Sequence, residues 1–472
     1  MRLSLTLPPR LTALALALLL AGCAVGPRYE QAPTVDTPAA FKQGQGEWVR
    51  AAPADTLERG PWWQLFNDPL LNDLASRVEV NNQNIAIAVA SYAQARSLVA
   101  EQRASLFPTV TLDGGANRTG GRGTTAERNS YKVNIGASWE PDVWGRLRRT
   151  VDSARAGEQA SLADLASARL SAQGELAINY FGIRLQDAQR ALLAQTITGY
   201  QRTLQITNNR YTAGVVPRTD VLQAETQLAN AQADMLGLER QRAQLEHAIA
   251  VLVGVAPANF TLPVQPTLLL TVPDVPIEVP SVLLQRRPDI AAAERRVAQA
   301  NEQIGIAQSA YYPSVGLSGS AGFGASRLGD LFNASNLVWA LGISAAQTLF
   351  NAGATTARVQ GTRAAFDEAA ARYRQTMLVA FQDVEDQLVA SRVLGQQLAL
   401  RQQAARAADL VEQQVLNRYQ AGQINYTEVI NAQATAQNAR RNLLQLQVDR
   451  QVAAVALIQS LGGGWRGLSE TK

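Results

Sequence analysis

A 24-residue stretch occurs twice in this chain. Residues 209–232 read NRYTAGVVPRTDVLQAETQLANAQ, and residues 417–440 read NRYQAGQINYTEVINAQATAQNAR. Aligned without gaps, ten of the 24 positions are identical, including Asn209/Asn417, Arg210/Arg418, Tyr211/Tyr419, Ala213/Ala421, Gly214/Gly422, Thr219/Thr427 and Val221/Val429. Asp220 aligns with Glu428, so the charge is kept as well. A constant offset of 208 residues implies two copies of one supersecondary unit. Each copy carries the signals of a tight turn between two long helices. The glycine suits the left-handed position just past a helix end. Pro217 cannot continue the incoming helix. Thr219 and Thr427 suit the N-cap of the outgoing helix, and the acid after each suits the positive end of its dipole. The expected turns cover residues 211–220 and 419–428.

Before the first unit lies a targeting segment, residues 1–22. Arg2 and Arg10 form its positive end, and Leu11 to Leu20 is an apolar run too short for a mature membrane helix. It ends Leu20-Ala21-Gly22-Cys23, small residues before a cysteine. Cys23 is the sole cysteine, which excludes an intramolecular disulfide and any multi-cysteine metal site. Residues 23–60, rich in Pro, Gly, Gln and Ala, read as an extended tail. The net charge is 43 − 39 = +4, or 41 − 39 = +2 without Arg2 and Arg10, with no long basic cluster for nucleic acid. After residue 22 no apolar run approaches the ~20 residues of a membrane helix.

The first repeat spans 61–253. Pro61-Trp62-Trp63-Gln64-Leu65-Phe66-Asn67-Asp68-Pro69-Leu70 opens a helix expected to run to about Leu106, its aromatics acting as a packing anchor. Phe107-Pro108 stops it, and the period changes to two. Val110, Leu112, Gly114 and Ala116 alternate with Thr109, Thr111, Asp113 and Gly115. Tyr131, Val133, Ile135, Ala137 and Trp139 alternate with Lys132, Asn134, Gly136, Ser138 and Glu140. This is a β-hairpin, 108–140, with one face out of water. From Asp142-Val143-Trp144-Gly145 a proline-free helix reaches Tyr211, a rod of roughly 100 Å. Its stripe of Leu162, Leu165, Ala172, Leu176, Ile183, Leu193 and Ile197 is interrupted by Arg169, Asn179, Gln186 and Arg190. That suits a wall with neighbours on both sides better than a two-stranded coil.

The return helix runs to about Val253, and a Pro-rich linker, 254–281, follows. The second repeat, 282–461, matches the first: a helix from Arg287-Pro288-Asp289-Ile290, a stop at Tyr312-Pro313, a β-hairpin over 313–346, a long helix, the second turn and its return helix. Residues 462–472 form a C-terminal tail.

Four strands of about ten residues have the length of tilted membrane strands. Four cannot close a barrel, and open edges are not tolerated in lipid. The chain is therefore expected to trimerise, closing twelve strands. The fold class is mainly α with a membrane β-barrel, its long helical hairpins forming a tunnel. Tyr131, Trp139, Phe323 and Trp339 are candidates for an interfacial aromatic girdle.

On these motifs the chain resembles the TolC-like outer-membrane factor family, in the lipoprotein branch with OprM and CusC. The segments that carry the resemblance are the lipobox ending at Cys23, Pro61 to Leu74, Phe107 to Gly114, Trp139 to Gly145, Arg286 to Ile290, Tyr312 to Gly319 and both turns. The resemblance implies acylation of Cys23, with Ala24 after it favouring sorting to the outer membrane. It implies a trimeric barrel-plus-α-tunnel across outer membrane and periplasm, docked to a periplasmic adaptor (membrane fusion) protein and an inner-membrane efflux pump. By position, adaptor docking falls on Ala213, Gly214, Val215, Ala421, Gly422 and Gln423. The closed periplasmic aperture falls on Arg218, Asp220, Tyr426, Glu428 and Asn431. Asn431 departs from the acid common in relatives, a place Glu428 is able to fill.

Other classes fit less well. The only histidine, His247, stands beside Glu246 with no nucleophile motif, and no catalytic constellation is present. No cofactor or metal is expected. The exit duct of a type I protein secretion system is an alternative, as is a non-conducting trimeric coiled coil, though a stalk would not need two internal β-hairpins and paired turns. Methionine is sparse past the leader, only Met235 and Met377, so no thioether path for copper is indicated.

Overall fold

A computed structural model describes residues 25–30, 34, 36–38, 40–43, 61–120, 127–268, 271–273 and 287–463. The leader 1–22, Cys23, most of the tail, Arg286, much of the linker and residues 464–472 lie outside the described residues. The elements in order are a 3-10 turn (Trp62–Phe66), α1 (Pro69–Asn81), α2 (Gln83–Ala104), β1 (Thr109–Thr119), β2 (Arg128–Trp139), α3 (Arg146–Thr212), α4 (Arg218–Leu252), α5 (Pro288–Gln308), β3 (Ser314–Ala325), β4 (Leu337–Ala346), α6 (Ala354–Gln420) and α7 (Tyr426–Ser460). The repeat shows in the lengths: α3 and α6 both have 67 residues, α4 and α7 both 35.

The single helix expected from the aromatic cluster to Leu106 is instead a 3-10 turn and two α-helices. The break sits at Asn82, whose backbone is extended (φ −66°, ψ 125°). Its side-chain oxygen accepts from the N–H groups of Asn84 and Ile85, capping α2, while its Nδ2 donates to Leu252 O at 2.9 Å. The amide thus replaces helical bonds with a cap and a tether, the competition that makes Asn a poor interior helix residue.

Compaction divides the chain into two units. The first comprises residues 1–35, 91–162 and 292–375 and holds the sheet. Its four strands are antiparallel in the order β1-β2-β3-β4. Register aligns Leu112, Ile135, Ala321 and Trp339 in one row across all four strands, with Val110, Ala137, Gly319 and Leu341 two residues along the same face. Thr111, Gly136, Ser320 and Ala340 occupy the opposite face. Period-two alternation therefore produces an apolar band, left open to the surroundings at Leu112, Ile135, Trp339, Leu341 and Ile343. β1 and β4 are edges with no partner among the described residues. Tyr131 and Phe323 stand near one end of the sheet and Trp139 at the other, whereas Trp339 pairs with Ala321 inside the strand.

In this unit Trp144 stacks on Tyr312 with centroids 4.8 Å apart and donates from Nε1 to Pro313 O at 2.7 Å. The N-terminal segment joins here. Val25 N donates to Trp144 O at 3.1 Å, and Tyr29 OH donates to Glu294 at 2.5 Å. Arg149 binds the carbonyls of Gly26 and Pro27 and pairs with Glu302 at 2.6 Å.

The second unit comprises residues 36–90, 163–291 and 376–472. Trp62, Trp63 and Phe66 are buried here against Tyr180 and Phe181. Asp68 caps α1 through Leu70 N and Leu71 N and accepts from Tyr180 OH at 2.5 Å. Burial and that carboxylate raise the Tyr180 pKa. α3 buries Leu165, Ala172, Leu176, Ile183 and Leu193 of the expected stripe, while Leu162 and Ile197 are half-buried. It also buries the charged Asp187, which accepts from Arg242 Nε (2.7 Å), Arg184 Nη1 (3.1 Å) and Gln265 N (3.0 Å). The two arginines then bind the carbonyls of Leu262 and Pro263, clamping the start of the linker onto α3 and α4.

Candidate functional site

Each helical hairpin ends in a five-residue turn, 213–217 and 421–425, shorter than the ten residues expected. Both end by the same bonds. Val215 N donates to Arg210 O at 2.8 Å and Gly214 N to Tyr211 O at 2.9 Å. Gln423 N donates to Arg418 O at 2.9 Å and Gly422 N to Tyr419 O at 2.9 Å. This is a Schellman closure. Gly214 (φ +72°) and Gly422 (φ +76°) occupy its left-handed position, where a Cβ is strained.

The outgoing helices start earlier than expected. Pro217 and Asn425, both extended, are the N-caps, and neither makes a side-chain cap bond. Thr219 and Thr427 are therefore second helical residues, not caps. The Schellman bond consumes residues up to Val215 and Gln423, and the extended Pro217 and Asn425 turn the chain into the next helix within two further residues. Asp220 and Glu428 fall in the first turn, where their N–H groups donate to Pro217 O and Asn425 O at 3.2 Å and their charge complements the dipole.

The two tips meet within one chain through Tyr419. It is 1% exposed, and its OH lies 3.1 Å from Thr207 Oγ1. Arg210 donates from Nη1 to Tyr419 O at 2.5 Å and places its guanidinium carbon 4.6 Å from the ring centroid, a hydrogen bond and a cation–π contact from one side chain. Tyr426 packs on Tyr419 with centroids 5.5 Å apart and donates to Gln227 Oε1 at 3.3 Å; Gln227 Nε2 donates to Gln433 at 3.2 Å. Ala224 and Val429 complete this small core. Burial pushes the Tyr426 hydroxyl pKa up, with lesser contributions from Tyr419, Tyr200 and Asp220.

The expected site residues thus divide. Ala213, Gly214, Val215, Ala421, Gly422 and Gln423 are all exposed at the turn surface. Arg218, Glu428 and Asn431 are exposed and Asp220 is half-buried, while Tyr426 lies inside the chain's own tip core. Arg218, Asp220 and Glu428 form no ion pair with one another among the described residues. Arg210, Tyr419, Thr207 and Gln227 join the tip core without any site motif in the sequence to mark them. For the first two the repeat itself is a signal, since both stand among the residues identical in the two copies. His247 is exposed, and no described helix is long and apolar enough to cross a membrane.

Comparison with known proteins gives a consistent result. The family described as "Outer membrane efflux protein" matches residues 74–255 and 279–463, so both repeats are covered. The chain is 30% identical over 457 residues to the solvent efflux pump outer membrane protein SrpC of Pseudomonas putida, covering 95% of this chain and 97% of SrpC. It is 28% identical over 463 residues to the cation efflux system protein CusC of Escherichia coli O6:H1, covering 97% and 99%. Among solved structures, the outer-membrane channel OprN superposes with a TM-score of 0.85 at 30% identity, covering 94% of this chain and all of that one (100%).

Proposed function

The chain belongs to the outer membrane efflux protein family, and from that premise we propose that it is the homotrimeric exit duct of a tripartite efflux system. The sheet is the observation that supports this reading most directly. It has a continuous apolar face and two edges, β1 and β4, with no partner among the described residues. In lipid such edges must be closed by other copies. Strand direction alternates and the number per chain is even, so β4 of one copy meets β1 of the next antiparallel. Three copies supply twelve strands, within the range of outer-membrane barrels.

The remaining parts of the reading rest on the N-terminal motif and on the family. Residues 1–22 are a cleaved leader and Cys23 is the acylated N-terminus. The repeats 61–253 and 282–461, joined by the linker 254–281, supply the strands to the outer membrane and the hairpins to a periplasmic tunnel. The exposed turns at Ala213-Gly214-Val215 and Ala421-Gly422-Gln423 receive the helical hairpins of a periplasmic adaptor, and an inner-membrane pump delivers small molecules to the duct. Arg218, Asp220, Glu428 and Asn431, with Tyr426 as their buried support, line the closed periplasmic aperture. SrpC is named for solvents and CusC for cations. Cargo chemistry therefore varies on this scaffold, and we assign selectivity to the pump. No cofactor enters this reading.

The test is the mass of the detergent-solubilised protein by light scattering, corrected for detergent, together with conductance in planar bilayers. A trimer that conducts is expected. A folded monomer, or a trimer that stays silent even when Arg218→Ala/Glu428→Ala loosen the aperture, overturns the proposal.

A further inference from the structure

We propose that Arg418 of one copy grips Tyr211 of the next copy in the ring, repeating between chains the contact that Arg210 and Tyr419 make within one. This rests on the trimeric reading above. The observation behind it is an asymmetry between equivalent residues. Arg210 and Arg418 are repeat mates, as are Tyr211 and Tyr419, and their carbonyls accept the same Schellman bonds. Yet Tyr419 is 1% exposed while Tyr211 is 44% exposed. Arg210 lies over Tyr419, but the Arg418 guanidinium is exposed, with no hydrogen bond or ion pair among the described residues. A Cβ built on Gly422 would lie 3.7 Å from Arg210 Nη2, whereas one built on Gly214 would meet nothing within 4 Å. One half of the molecule has its clamp; the other half presents both halves of that clamp to the outside.

The contact also has a direction. The arginine of the first hairpin reaches the tyrosine of the second. In a closed ring of alternating hairpins the next such step runs from the second hairpin's arginine to the first hairpin's tyrosine in the following copy. Arg418 and Tyr211 are the residues left to make it. The two kinds of step differ in strength. Thr207, which meets the Tyr419 hydroxyl, has Val415 as its repeat mate, and Tyr426, which packs on the Tyr419 ring, has Arg218. The step between copies therefore lacks the hydroxyl pair and the second ring, and it brings Arg218 near Arg418 instead. The seam between copies is the weaker of the two joints in the tip ring.

The test uses the full-length protein in outer-membrane fractions, in a Cys23→Ser background so that no other thiol is present. Tyr211→Cys/Arg418→Cys is treated with a short bis-maleimide and run on a denaturing gel beside Arg210→Cys/Tyr419→Cys. The first pair should give covalent dimers and trimers, the second only internally bridged monomers. Light scattering of the same samples shows whether trimers are present. Intact trimers in which the first pair yields only monomers overturn the contact and leave the trimeric reading standing; absence of trimers overturns both. In bilayers, Arg418→Ala should raise open probability about two- to fivefold, the scale of one exposed cation–π contact. Tyr211→Phe should leave it unchanged, because the ring face and the backbone carbonyl are kept. A larger effect from Tyr211→Phe than from Arg418→Ala also refutes the contact.

Discussion

The backbone N–H of Val25 donates to the carbonyl of Trp144 at 3.1 Å, a few residues beyond the end of β2 at Trp139. Val25 lies two residues from Cys23, so the chain between them reaches no more than about 7 Å. An acyl group on Cys23 would then enter the leaflet at the Trp139 end of the sheet. Cys23→Ser is expected to abolish palmitate labelling while the strands retain the protein in the outer membrane. Label persisting in the Ser variant rules the lipidation site out.

The apolar face predicts a penalty for charge. Val133 and Leu341 share the face of the Leu112–Ile135–Ala321–Trp339 row, and Leu341 is 81% exposed in the single chain. Leu341→Arg should cost about 2–4 kcal/mol near the bilayer midplane, Val133→Arg, paired with Phe323 toward one end of the sheet, should cost less, and both should lower trimer yield. Lys132→Arg, on the other face, is the control and should assemble normally.

At the turns, Gly214→Val and Gly422→Val put β-branched residues at φ +72° and +76°. Strain of about 1–3 kcal/mol at each will distort the proposed docking turn. Efflux measured as drug tolerance of the host should be lost while trimer level is unchanged. Full tolerance in the double variant would mean these glycines serve only as helix caps.

The aperture predicts an electrical phenotype. Arg218 and Glu428 are exposed and without ion-pair partners among the described residues, and the proposed closed aperture would pair them with neighbouring copies. An exposed pair contributes about 0.2–1 kcal/mol, repeated three times by symmetry. Arg218→Ala/Glu428→Ala should give longer and larger openings, and Asp220→Asn a weaker cation preference. Single-channel records matching the parent in all three respects would place the closure elsewhere.

Away from the tips, Asp187 is wholly buried between Arg184 and Arg242. Asp187→Ala leaves the buried Arg184 without a carboxylate, leaves Arg242 with Glu246 alone and frees Gln265 N, a loss of about 3–5 kcal/mol. Thermal unfolding of the solubilised trimer should shift down accordingly. Conductance of the surviving folded fraction should match the parent.

Much of this organisation is legible in the residues. Period two over Val110–Ala116 and Tyr131–Trp139 marks strands because each alternate residue faces one side, and the observed register carries that alternation across all four strands. Gly214 and Gly422 mark the helix ends because the left-handed position there has few other tenants. Tertiary competition is harder to read. Asn82 breaks a helix by binding Leu252, a residue 170 positions away that local pattern does not reveal. The resemblance puts Tyr426 among the aperture residues; only the packing of Tyr419, Ala224 and Val429 makes it a core residue. The Arg184–Asp187 spacing looks like a solvated helix pair until Arg242 and the linker carbonyls close over it.

The unpaired edges β1 and β4 have a genetic consequence. If every barrel needs three sound seams, one copy with a spoiled β4 edge disables the whole ring. A cell expressing intact and edge-defective chains equally would assemble only about one ring in eight entirely from intact chains. Substitutions that spoil an edge should therefore act dominantly over the normal gene, whereas losses of the whole chain should be recessive.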